Sequence, residues 1–106
     1  MAQSERERVM QFLEDFLCIA SQMLRDKSYM EYTYQTEQQA NYYRVSTEVY
    51  DAYVNQLSGF DVPTFHKYGR DLALIKVKQK TSNVHYYQGK KVYYISKAFA
   101  DMAICF

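Results

Sequence analysis

The sequence predicts an α+β domain, and three observations carry the prediction. A long helical periodicity follows the amino terminus, two shorter helical patterns lie a few residues apart, and strand alternation around a glycine turn takes over near the carboxyl end. At 106 residues the chain is expected to form one domain, 1–106, able to bury a core without disulfides or a metal.

Ser4 and Glu7 have capping-box spacing, and Val9, Phe12, Leu13, Phe16, Leu17, Ala20, Met23 and Leu24 then recur at steps of three and four. This predicts a first helix over residues 1–27, about six turns long. Its apolar stripe is wide enough either to lie across the rest of the domain or to pair with a second copy. Residues 28–45 scatter tyrosines among Gln and Thr, which reads as a helix end, a polar connection and one short strand. Ser46 is placed as an N-cap, and Val49, Tyr50, Tyr53, Val54 and Leu57 give a helical face that Ser58-Gly59 stops, so a second helix spans 47–57. Pro63 suits a first helical turn, and Phe65, Tyr68, Leu72 and Ile75 continue at near-helical spacing, which predicts a third helix reaching Ile75. Gly89 then supplies a tight turn between strands 83–87 and 91–96. Gly59 and Gly69 mark a further turn or close contact, and no linker or repeat appears.

Charge is divided unevenly. Residues 1–63 carry five Lys or Arg against ten Asp or Glu, whereas residues 64–106 carry eight against two, so near-neutrality hides a basic end. Lys67, Arg70, Lys76, Lys78, Lys80, Lys90, Lys91 and Lys97 are interleaved there with Tyr68, Tyr86, Tyr87, Tyr93 and Tyr94. That mixture puts phosphate neutralisers beside flat stacking faces. A solvated face normally mixes its signs, so this segregation points to nucleic acid.

Two helices across a short turn, followed by a basic hairpin, is the order of a winged helix-turn-helix, here residues 46–97 behind a long N-terminal helix. In that arrangement His66, Lys67, Arg70 and Asp71 are expected on the presented side of the third helix, flanked by Lys78, Lys80, Lys90 and Lys91. The runs Val49-Tyr50-Asp51-Ala52-Tyr53-Val54, Val62-Pro63-Thr64-Phe65, Tyr68-Gly69-Arg70-Asp71-Leu72 and Tyr87-Gln88-Gly89-Lys90-Lys91-Val92-Tyr93-Tyr94-Ile95 resemble the winged-helix module at the carboxyl end of phage and poxvirus-type primase-helicases. The resemblance covers about half the chain, from Ser46 to Ser96, and the module is expected to stand alone, with no ATPase segment before it. In size, architecture and tyrosine content the chain is also similar to the small winged-helix single-stranded DNA-binding proteins of staphylococcal cassette elements. That likeness implies an accessory replication factor of a mobile genetic element.

Single strand is favoured over duplex on physical grounds. The third helix offers little beyond Arg70, His66 and Lys67 for reading base edges. Adjacent strand residues face opposite ways, so one tyrosine of each hairpin pair packs inward while its neighbour can stack on an unpaired base. Tyr87 and Tyr93, beside Lys90, Lys91 and Lys97, are the expected stacking members, and alternation alone leaves open which of each pair is outward. The expected nucleic-acid contacts are therefore His66, Lys67, Arg70, Lys76, Lys78, Lys80, Tyr87, Lys90, Lys91, Tyr93 and Lys97.

Enzyme readings find no footing. No P-loop, metal-ligand spacing or glycine-rich phosphate cradle appears, and His66 and His85 are the only imidazoles, so no catalytic residue, cofactor or metal is expected. Cys18 and Cys105 lack partners at ligand spacing and read as reduced, buried or idle thiols. The charged amino terminus excludes a signal peptide and no run reaches membrane-spanning length, so a soluble cytoplasmic protein is expected. Two other readings stay open: a sequence-specific duplex binder, and a protein-interaction module. The module would use the acidic first helix, the tyrosine-rich connection or the apolar terminus 99–106 to dock on a replication polymerase, a helicase or a second copy. A phage-encoded inhibitor belongs with the docking reading.

Overall fold

The computed structural model describes residues 4–28, 33–34, 42–80 and 82–105, with the side chains of 33, 34, 104 and 105 outside the description. In chain order the elements are α1 (Glu5–Arg25), β1 (Thr33–Tyr34), β2 (Tyr42–Ser46), α2 (Thr47–Leu57), α3 (Val62–Asp71), β3 (His85–Tyr87), β4 (Lys90–Ser96) and α4 (Lys97–Asp101), with a 3₁₀ turn over Met102–Cys105. The architecture is mixed α+β. Among the described residues no helix is long and apolar enough to cross a membrane.

α1 starts as its sequence predicts, with the Ser4 hydroxyl accepting from the Glu7 N–H at 3.2 Å. Phe12, Phe16, Ile19, Ala20 and Met23 are buried, and Val9, Leu13, Leu17 and Leu24 pack alongside, so the wide stripe is spent within the domain. At its end Lys27 takes φ 62°, Ser28 N–H reaches the Met23 carbonyl at 2.8 Å and Lys27 N–H the Leu24 carbonyl at 3.2 Å. That pair of bonds closes the helix as a Schellman motif.

α2 has the predicted bounds, but Ser46 makes no side-chain capping bond. It is also the last residue of β2, paired with Val92, so the sheet sets its orientation. α3 stops at Asp71, four residues short of the expected Ile75. Ala73 adopts φ 59°, Leu74 N–H bonds the Gly69 carbonyl at 2.9 Å and Ala73 N–H the Arg70 carbonyl at 3.1 Å, a second Schellman closure formed without glycine. The released segment then runs beside β4. Ile75 bridges Ile95, Lys76 N–H donates to the Tyr94 carbonyl at 2.9 Å, and Ser96 N–H donates to the Leu74 carbonyl at 2.8 Å.

The sheet is antiparallel with order β1-β2-β4-β3, so β4 is flanked on both edges. The hairpin turn is Gln88-Gly89, and both residues have positive φ, 51° and 78°. A two-residue turn of that kind matches the twist of paired strands, and glycine makes it inexpensive. β3 begins at His85 and not at the expected Asn83 because local bonds take the preceding groups. Val84 N–H donates to the Ser82 hydroxyl at 3.2 Å, and the Asn83 amide turns to the His66 carbonyl at 3.2 Å.

The core joins α1 to Tyr43 and Val45 of β2, Tyr50 and Val54 of α2, Phe65 and Tyr68 of α3, Leu74 and Ile75, and Tyr93 and Ile95 of β4. Ala100 and Ala103 belong to it as well, so the carboxyl end that the sequence offers as a docking segment is partly used inside the domain. Phe99 and Met102 remain exposed. All four helices therefore meet the same side of the sheet, the side carrying Tyr43, Val45, Tyr93 and Ile95.

Candidate nucleic-acid interface

Residues opposite one another in an antiparallel pair project to the same side. Tyr86 pairs with Lys91, which lies two positions before Tyr93, so Tyr86, Lys91 and Tyr93 share the helix side. Beyond the helices that side is open: Tyr86 is 65 % exposed and Lys91 is exposed. α3 packs on the same side, its His66 ring 4.4 Å from the Tyr93 ring, and presents Lys67 outward with Arg70 half-buried beside the hairpin. α3, with Lys67 and Arg70, and the strand residues Tyr86 and Lys91 thus lie on the same side of the sheet. Lys67 carries an exposed i,i+4 ion pair with Asp71 at 3.7 Å, a contact of little strength in water.

The opposite side of the sheet holds a second set. Tyr42, Arg44, His85, Tyr87, Lys90, Val92 and Tyr94 project there by register. The Arg44 guanidinium lies 3.3 Å from the Tyr87 ring centroid, and Lys76 sits over Tyr42 and Tyr94 at 5.5 and 5.6 Å. His85 donates from Nε2 to the Lys76 carbonyl at 3.1 Å. Burial pushes the His85 imidazole below its ordinary value, the Lys76 carbonyl pulls the other way, and the charges of Lys76 and Lys78 add to the depression. Lys78 and Lys80 are exposed in a turn closed by Lys78 N–H to the Ser82 carbonyl at 3.0 Å. Lys90 and Lys91 reach the start of α2, where with Ser46, Thr47 and Glu48 they line a concavity of about 280 Å³.

Four expected contacts, His66, Tyr93, Tyr87 and Lys97, are wholly or partly withdrawn from the surface. His66 is buried, and its Nε2–H donates to Asp51 at 2.9 Å while Nδ1 accepts from the Asn83 amide at 3.2 Å. Tyr93 is buried too, its hydroxyl donating to Asp51 at 3.0 Å, and burial together with the Asp51 charge and this bond raises its pKa. These bonds tie α2, α3, β4 and the segment before β3 into one polar bracket, which is why neither ring faces outward. Tyr87 is half-buried against Arg44, so the exposed phenol of the first pair is Tyr86; Tyr93 and Tyr94 are both buried. Lys97 is half-buried, donating to Asp101 at 2.8 Å and lying over Tyr43 at 5.4 Å. Asp101 is squeezed upward by burial, yet the bonds from Lys97 and Tyr43 outweigh this and hold its carboxyl below the usual range.

Two residues that position the site escape sequence reasoning. Buried Asp15 accepts from Ser58 Oγ at 2.9 Å and Gly59 N–H at 3.1 Å, pinning the α2–α3 turn to α1. Asp51 anchors both His66 and Tyr93. Of the two alternatives expected for the cysteines, buried or idle, Cys18 is not the buried one: it is a free, exposed thiol. Among the described residues no group of His, Cys, Asp and Glu is arranged to hold a metal. Comparison with known protein families, with curated proteins and with solved structures finds no match for this chain.

Proposed function

We propose that the chain is a non-catalytic winged-helix DNA-binding protein that prefers single strands. Two helices across a short turn, α2 and α3, followed by the β3–β4 hairpin support the winged-helix reading, as does a sheet in which β4 lies between β2 and the hairpin partner β3; the two-residue β1 and the closing α4 are additions to that order. The observation that carries the function is that exposed Tyr86 and its neighbour Lys91 project to the side of the sheet on which α3, with Lys67 and Arg70, is packed. With His66 withdrawn into the interior, α3 has few groups left for base-edge readout, which favours backbone contact over sequence recognition. Tyr86 supplies the face on which an unpaired base stacks. The likeness to primase-helicase modules and to cassette-encoded single-strand binders supports an accessory role in replicating a mobile element.

Fluorescence polarisation of labelled single-stranded and duplex oligonucleotides across a salt series tests this. Three phosphate contacts give a slope of log K against log salt near about −2 for single strands. Tyr86→Ala should cost single-strand binding about 1–3 kcal/mol and duplex binding less. Lys91→Glu should weaken both. Absence of binding to either probe at low salt would refute the proposal and leave partner docking as the better reading.

A further inference from the structure

The apolar stripe of α1 faces the core, and its outer side carries a second pattern. Glu14, Leu17, Cys18, Ser21, Gln22 and Arg25 line a groove of about 450 Å³, with Ala103 of the carboxyl-terminal turn on its flank. Glu14, Cys18 and Arg25 are exposed, and neither Glu14 nor Arg25 has an ion pair among the described residues. The steps from Glu14 to Cys18, Ser21 and Arg25 are four, three and four, the spacing of a coiled-coil seam. With an acid at one end and a base at the other, that seam is complementary to itself when reversed.

We propose that this face docks a second copy of the chain, α1 against α1 in antiparallel register. Setting Glu14 against Arg25 of the second copy places Leu17 against Gln22 and Cys18 against Ser21. Each of the six α1 residues along the groove then meets another of the six, the closure that a two-fold interface requires. A parallel, in-register pairing would instead set Glu14 on Glu14 and Arg25 on Arg25, which like-charge repulsion opposes. In the antiparallel pair the two Glu14–Arg25 contacts lie about 16 Å apart, one at each end of the seam. These charges set direction and register, while Leu17 and Ala103, with Met102 49 % exposed beside them, supply apolar contact. Self-association of this kind needs no nucleic acid, so it stands or falls apart from DNA binding.

Sedimentation velocity at low salt, over a range of protein concentrations and without nucleic acid, tests the pairing. The unaltered chain should pass from one-chain to two-chain mass as concentration rises. Glu14→Arg sets arginine against arginine at both contacts, and Arg25→Glu sets glutamate against glutamate, so each alone should weaken self-association about thirtyfold. An equimolar mixture of the two variants regains opposite charges at both contacts and should associate as the unaltered chain does. That recovery also shows that both variants fold. A one-chain mass at every concentration would overturn the proposal, as would association that either reversal leaves unchanged. Variants that weaken association but do not recover on mixing would overturn the antiparallel register.

Discussion

Replacing Gly69 with alanine sets helix propensity against packing, and the structure indicates which prevails. An added Cβ would lie 2.5 Å from Ile75 Cδ1, 2.8 Å from Cγ1 and 3.3 Å from Cβ, where carbon atoms normally rest about 3.5–4.0 Å apart. Rotating the Ile75 side chain relieves the first contact, but the other two sit close to the backbone. That backbone is held by Ile75 N–H to the Gly69 carbonyl at 3.1 Å and by the bridge to Ile95. Alanine in the helix returns about 1 kcal/mol, while overpacking costs about 1–3 kcal/mol, toward the upper end with three atoms in conflict. The expected net loss is about 2 kcal/mol, or a fall in Tm of about 10 °C. Circular dichroism melts and urea titrations read it, with Gly59→Ala as the control because nothing lies within 4 Å of its added Cβ. Adding Ile75→Val removes the nearest atom, so the double variant should lose less than the two single losses together. A Tm for Gly69→Ala that holds or rises would refute the close approach of α3 to the strand beside it.

Ala73→Gly should stabilise the chain by up to about 1 kcal/mol, because Ala73 sits at φ 59° where a β-carbon is strained; a lower urea midpoint would contradict this. At high pH, burial and then Asp101 raise the Tyr43 pKa, and burial and then Asp51 raise that of Tyr93. Their contribution is whole below the ordinary tyrosine value of about 10 and is lost as pH climbs toward the raised folded values, so stability falls above about pH 10. Absorbance titration should show these two phenols ionising late, and Tyr93→Phe should remove part of the alkaline loss. At the acid end the depressed His85 pKa makes its contribution present above about pH 6.5 and lost as pH falls through the folded value, so melts taken across that window should lose stability and His85→Phe should flatten the loss.

Local chemistry made much of the fold readable. Ser58-Gly59 and Pro63 mark the α2–α3 turn, and Gly89 marks the hairpin, because each residue constrains its own backbone. The end of α3 was hidden since alanine, where glycine is usual, takes the left-handed position, and helical spacing continues past it to Ile75. His66 looked presentable because its partners, Asp51 and Asn83, come from distant parts of the chain. Asp15 resembles any carboxylate on a wet helix face until the α2–α3 turn arrives to fill it. The exposed tyrosine was misjudged for a related reason. Parity along a strand shows that neighbours oppose each other, but only the side on which the helices pack tells which of them is inside.

Val92, Tyr93, Tyr94 and Ile95 are all buried, so β4 carries no alternation to fix its own registration. The task falls to the two-residue reversal at Gln88-Gly89. One extra residue inserted there would leave β4 seated against the helices and slide β3 by a single position, sending Tyr86 to the far side and bringing Tyr87 to the near one. A protein of almost unchanged composition and charge would then offer its phenol to the wrong hemisphere. Which side of the sheet carries the exposed phenol is thus written in the length of a two-residue turn.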